Sequence, residues 1–247
     1  MQGDKAVILD MDGVLLKTHH LHALAWKKMF DEFLMAYCEK NNQKFTAFDE
    51  IKDYRKYVDG MPRLDGLQNF LKSRGISLPW GEETDTLDDL TITGLGKKKE
   101  RYYQELLNTK GPRVYKDSVD VIRKWTNHHV PMAVVSSSQN CKQVLAMGRV
   151  EIFFDTIVDP QLASKQELKG KPEPDYFVHG AELLGFRPDQ CYVVEDSLAG
   201  VRAAKKGGFS KVFGMVHEDD PEKEKELLRA GADEIIHSLS EIHDPEL

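Results

Sequence analysis

The chain is 247 residues long, with 40% hydrophobic and 30% charged residues, which excludes a disordered chain and leaves room for a sizeable core. Asp and Glu total 41 against 34 Lys and Arg, a formal charge of −7, so no basic field is available to hold nucleic acid or an anionic membrane. A phosphorylated substrate would have to be held by a few local cations or a metal.

The first element is the run Ala6-Val7-Ile8-Leu9, short and β-branched, which predicts a strand buried on both faces and ending in Asp10-Met11-Asp12-Gly13. Residues 18–110 carry no buried-strand signal. Apolar residues at helical spacing (Leu21, Leu24, Ala25, Met29, Phe33, Leu34) predict a helix over 20–39, with Trp26 and Phe30 in its core. Further helices are predicted over 64–73 and 97–107. Lys97, Lys98 and Lys99 fit a solvated helix start.

Beyond Gly111-Pro112-Arg113 the pattern changes to strands alternating with helices. A helix over 119–127 precedes a strand over 131–135 that ends in Ser136-Ser137-Ser138. Strands follow over 154–158, 191–194, 211–216 and, more weakly, 234–237. Helices are expected over 176–184 and 198–206, the latter stopped by Gly207-Gly208. The charged run 219–226 fits a solvated helix start with Pro221 in its first turn. Alternation of this kind predicts an α/β fold: a parallel-sheet, Rossmann-like core with helices on both faces. The expected division is a catalytic core of residues 1–17 and 111–247 and an inserted α-helical cap of residues 18–110.

Cys38, Cys141 and Cys191 have neither a close pair nor zinc spacing. They read as packing residues in a reducing compartment. The opening Met1-Gln2-Gly3-Asp4-Lys5, with its apolar run broken at Asp10 and Asp12, is neither a signal peptide nor a membrane span. A cytoplasmic monomer without nucleic-acid or membrane partners is the expectation.

Ligands of open parallel sheets bind at the carboxyl ends of the strands. Asp10, Asp12, Ser136, Glu195 and Asp196 all fall at such ends, and Lys171 lies in Gly170-Lys171-Pro172-Glu173-Pro174-Asp175, just before a helix. Carboxylates gathered this closely repel one another unless a cation neutralises them, and their oxygen donors suit Mg2+. Lys171 and the Ser136 hydroxyl would hold a phosphoryl group. Asp10 could then attack phosphorus, and Asp12 could carry the proton of the leaving or attacking oxygen. Taken alone, Glu195-Asp196-Ser197 is equally compatible with a helix N-terminus.

Asp10-Met11-Asp12-Gly13-Val14, Ser136, Lys171 and Glu195-Asp196 resemble, in order and strand context, the four motifs of the haloacid dehalogenase-like phosphotransferases. The resemblance spans essentially the whole chain. It implies an aspartyl phosphate on Asp10. It also implies Mg2+ held by Asp10, the Asp12 carbonyl and Asp196, with Glu195 ligating or behind a ligand.

The position of the cap narrows the resemblance to the β-phosphoglucomutase-like branch. There, Thr18-His19-His20-Leu21-His22 is similar to the segment whose histidine, His22, lies beside the catalytic acid. Val58-Asp59-Gly60-Met61-Pro62-Arg63 resembles the segment supplying a phosphate-binding arginine, Arg63. Lys99 matches a substrate lysine, and Ser138-Gln139-Asn140 the segment contacting a distal phosphate.

The implied reaction is β-glucose 1-phosphate to glucose 6-phosphate through a bisphosphate, with the cap closing over the site. The alternative is a phosphatase on small sugar phosphates or related monoesters. A bisphosphate needs a second anion site, for which an arginine fork is suited; a phosphatase does not. Three features depart from the mutase pattern. Gln139 stands where a lysine is expected, extra cap material lies around 37–53 and 80–89, and a charged insertion at 161–169 precedes Lys171.

Overall fold

The computed structural model describes residues 5–217 and 219–243. Residues 1–4, 218 and 244–247, which the sequence assigns to the core, lie outside the described residues. The chain divides into two compact units, Met1–Lys17 with Pro112–Leu247, and Thr18–Gly111.

The first unit contains a six-stranded parallel sheet of β1 (Ala6–Asp10), β2 (Met132–Val135), β3 (Thr156–Val158), β4 (Cys191–Glu195), β5 (Lys211–Met215) and β6 (Glu234–Ile236). The order β3-β2-β1-β4-β5-β6 is that of a doubly wound Rossmann-like sheet. Its order reverses between β1 and β4, which opens a crevice at their carboxyl ends. Asp10 pairs with Val135 on one side, and Leu9 pairs with Val194 on the other. Asp10 is therefore level with Glu195, and Ser136 lies one residue beyond that level.

Every residue of β1, β2 and β4 is buried, as strands covered on both faces require. Ala6, Ile8, Ala133, Val135, Val193 and Val212 pack in one cluster with α7 (Asp175–Leu184) and α8 (Leu198–Lys206). Gly180 lets α7 approach closely, since a methyl group there would stand 3.3 Å from Val135. The unit also contains α4 (Lys116–Asn127), α5 (Cys141–Gly148), α6 (Pro160–Lys165) and α9 (Pro221–Ala230). No sequence signal marks α5, and α6 overlaps the charged insertion at 161–169. Both helices are short: α5 has eight residues and α6 has six.

The second unit is built on α1 (His19–Lys40), α2 (Arg63–Ser73) and α3 (Ile92–Lys110), with one π-turn at Tyr54–Val58. The helix predicted from residue 97 starts five residues earlier, so the three lysines are mid-helix and not at its start. Thr91 caps it, its hydroxyl accepting from the Gly94 N–H at 2.9 Å. Thr93, Gly94 and Gly96 have weak helix propensity, which hid the first turn from periodicity.

Phe30 stacks on Trp26 at 5.2 Å, and Phe30, Phe48 and Phe70 meet with centroids 4.2–5.0 Å apart. Phe48 comes from the extra material after α1. Asp31 holds it there by accepting the Phe48 N–H at 2.7 Å, and Lys27 donates to its carbonyl at 3.0 Å. The insertion thus completes the helical unit's core. Phe70 is fully buried in it. Phe70→Ala is expected to destabilise this unit by ~3–5 kcal/mol, measured by urea unfolding. A loss below about 1 kcal/mol would contradict the packing described here.

Candidate active site

The site in the sheet unit is organised by a buried lysine. Lys171, 1% exposed, extends its ammonium between two carboxylates from adjacent strands. It donates to Asp10 Oδ1, and to Glu195 Oε1 at 2.6 Å. Burial disfavours the charged amine, but Asp10 and Glu195 outweigh it and raise its pKa. Lys171 is thus a fixed cation. Burial pushes the Asp10 carboxyl well above the ordinary range; Lys171 opposes that shift, while Glu195, Asp12 and Asp196 add to it. The four carboxylates feel one another, and Lys171 alone does not balance them.

Glu195 is fully buried and both of its oxygens are engaged. Oε1 accepts from Lys171, and Oε2 from the Ser197 N–H at 2.7 Å. Gly200 makes the arrangement possible, because a Cβ there would lie 1.8 Å from Glu195 Oε1. The helix-cap reading of this segment holds too. Ser197 caps α8 by accepting the Gly200 N–H at 3.1 Å.

Asp196 lies against the β1 turn. Gly13 has φ +81°, and a Cβ there would meet Asp196 Oδ2 at 2.0 Å. The absence of a side chain at Gly13 therefore provides the space in which the Asp196 carboxylate sits. On its other side, Lys223 Nζ donates to the same oxygen at 3.1 Å.

Asp12 belongs to that turn through its bridge to Leu16. Ser136 is buried, and its Oγ accepts the Ser138 N–H at 3.1 Å. The Ser138 hydroxyl in turn accepts from the Asn140 N–H at 3.3 Å. Ser136, Ser138, Gln139 and Asn140 thus form one turn after β2, leading into α5. Among the described residues no three Asp, Glu, His or Cys side chains stand together as a ligand cluster.

The helical unit holds a second group. Lys99, 3% exposed, places Nζ 2.9 Å from His22 Nδ1. An ammonium only donates, so Nδ1 accepts and the neutral ring carries its proton on Nε2. Burial, then Lys99, lower the His22 pKa well below its ordinary value of 6.5. Tyr103 stacks on the His22 ring at 4.0 Å, and Lys99 lies 4.9 Å from the Tyr103 ring centre and 5.2 Å from that of Trp26. Arg63, the first residue of α2, donates to Glu100 Oε2 at 2.5 Å.

Sequence reasoning missed Tyr103, Glu100, Gly200 and Lys223. Tyr103 carried a usable signal, four residues beyond Lys99 on the same helix face. The three cysteines are free and buried, and burial pushes the Cys191 thiol up to about 12. No described helix is long and apolar enough to cross a membrane.

The haloacid dehalogenase-like hydrolase profile matches residues 5–208. A β-phosphoglucomutase of Mycobacterium bovis is 39% identical over 96% of this chain and 91% of its own length. A phosphorylated carbohydrates phosphatase of Thermotoga maritima is 26% identical over 96% of this chain and 99% of its own. In fold, the chain is similar to a Clostridium difficile β-phosphoglucomutase structure, with a TM-score of 0.74 and 21% identity over 98% of this chain and 94% of that one.

The His22 environment has a pH consequence. A depressed folded pKa means that below 6.5 the unfolded chain binds more protons at this position than the folded one. This contribution to stability is complete above 6.5 and is lost as pH falls below it. Nitrogen-15 NMR of the imidazole should show a neutral Nε2–H tautomer persisting well below pH 6.5. A titration midpoint at or above 6.5 would contradict the geometry.

Proposed function

The chain belongs to the haloacid dehalogenase-like hydrolase family, in its β-phosphoglucomutase-like branch, and from that we propose a Mg2+-dependent phosphotransferase acting on a small sugar phosphate through an aspartyl phosphate on Asp10. The reaction we infer is β-glucose 1-phosphate to glucose 6-phosphate. The observation that carries this reading is the Lys171 ammonium held between Asp10 and Glu195 at the β1/β4 crevice. The substrate class rests on the 39% identical relative, a β-phosphoglucomutase.

The donor set fits Mg2+. Asp10 and Asp196 offer carboxylates, Asp12 a main-chain carbonyl, and the Gly13 cradle keeps Asp196 against that turn. One or two carboxylates with further oxygens suit this ion, so the absence of a third ligating side chain is no obstacle. When bound, Mg2+ neutralises charge on the transferring phosphoryl group.

The chain's own residues supply the rest. Lys171 fixes the Asp10 carboxylate and presents positive charge to phosphoryl oxygens. An Asp10 oxygen forms a bond to phosphorus as the bond to the sugar oxygen breaks, and Asp12 gives that oxygen its proton. In the second half, Asp12 takes the proton of an attacking hydroxyl and the phosphoryl group leaves Asp10. Ser136 Oγ accepts from Ser138 N–H, and its hydroxyl can donate to a phosphoryl oxygen. In this reading Glu195 positions Lys171, while His22 and Lys99 serve the helical unit's side of the substrate. The family resemblance assigns Arg63 in the helical unit, and Ser138, Gln139 and Asn140 in the sheet unit, each as a phosphate contact.

One observation favours a sugar-phosphate phosphatase instead. Arg63 is already paired with Glu100, and Gln139 is neutral, so little net positive charge is available for a second phosphate. The two readings differ only in whether a sugar hydroxyl or water accepts the phosphoryl group.

The test supplies β-glucose 1-phosphate, Mg2+ and a trace of glucose bisphosphate, and follows glucose 6-phosphate and inorganic phosphate together. The expected result is glucose 6-phosphate with little free phosphate, abolished in Asp10→Asn and reduced at least tenfold in Arg63→Ala, about the effect of losing one charged hydrogen bond. Free phosphate alone, insensitive to Arg63→Ala, would establish the phosphatase. Full activity in Asp10→Asn would overturn both.

A further inference from the structure

The charged run 219–226 reads in sequence as a solvated helix start, yet it carries a lysine to Asp196. Just before it, His217 stacks on Tyr115, with ring centres 3.5 Å apart. Six residues on, Lys223 donates to Asp196 Oδ2 at 3.1 Å, with side-chain exposures of only 20% and 10%. Lys223 is held there by the start of α9. Its own N–H donates to the Asp220 cap at 3.0 Å, and Pro221 opens the helix.

The charge count gives this contact meaning. With every side chain in its ionised form, Asp10, Asp12, Glu195 and Asp196 against Lys171 and Lys223 leave a formal charge of −2, which one divalent cation balances. Without Lys223 the sum is −3. An ammonium on one oxygen of a carboxylate also draws charge from the other oxygen, the one left for a metal.

We propose that Lys223 sets the divalent-metal affinity of the site by holding a positive charge on the second oxygen of Asp196. It is a positioning and charge-tuning residue that acts through Asp196. The inference rests on the reading of Asp196 as a metal ligand.

The test is calorimetric titration of the full chain with MgCl2 at low ionic strength, without substrate. Lys223→Met should bind Mg2+ with a Kd roughly fivefold to tenfold lower than the unaltered protein, since a nearby like charge is removed. Lys223→Gln, which keeps a polar side chain, should follow it, and it carries the test if the Met variant does not fold. Lys223→Arg should leave Kd within about twofold, because it keeps the charge. An unchanged or higher Kd in both neutral variants overturns the inference. Asp196→Asn separates the two layers. If it fails to weaken Mg2+ binding, the ligand reading falls and this inference with it. If it weakens binding while the neutral Lys223 variants leave Kd unchanged, only the role of Lys223 falls.

Discussion

A single buried ammonium holds the site of the sheet unit together. Lys171 comes from a loop before α7, far in sequence from the strands it joins, and it bridges Asp10 of β1 to Glu195 of β4. Neither carboxylate could be buried and ionised without it, and an uncompensated buried charge is among the costliest features a fold can carry. The interaction that makes the site affordable to the fold also makes it chemically useful. In the proposed reaction the same cation that satisfies two carboxylates would also face phosphoryl oxygens.

The sheet topology explains why these groups meet. The strand order reverses between β1 and β4, which leaves a crevice at their carboxyl ends. Register then does the fine placement by setting Asp10 level with Glu195 and beside Val135, so that Ser136 follows at the same edge. Two glycines complete the arrangement by leaving out a methyl group. Gly13 makes room for Asp196, and Gly200 for Glu195. Each places an acidic side chain against backbone where any other residue would displace it.

The centre of the sheet was legible in the sequence because β1, β2 and β4 are short apolar runs, and burial on both faces leaves no polar alternation to confuse the reading; β6, which opens on exposed Glu234, gave the weakest signal. The same property made Asp10, Asp12 and Glu195-Asp196 conspicuous, as charges ending apolar runs. The helical unit was legible where its period was strong, as in α1, and misread where glycine and threonine diluted it, as at the start of α3. The Lys97-Lys98-Lys99 triplet fits a solvated helix start, and only the family resemblance set Lys99 apart as a substrate contact. Only the packed structure shows it buried beside His22, Trp26 and Tyr103. Glu100 opposite Arg63 and Lys223 opposite Asp196 are long-range pairs, and spacing along one chain carries no signal for them.

In the proposed reaction Asp10, fixed by Lys171, supplies the oxygen that bonds to phosphorus. The most direct measurement is fluorine NMR of the protein with beryllium fluoride, which mimics a phosphoryl group bonded to a carboxylate oxygen. Bound trifluoroberyllate resonances should appear only when Mg2+ is present, and should vanish in Asp10→Asn while the folded protein remains. Bound resonances that persist in Asp10→Asn would contradict the account.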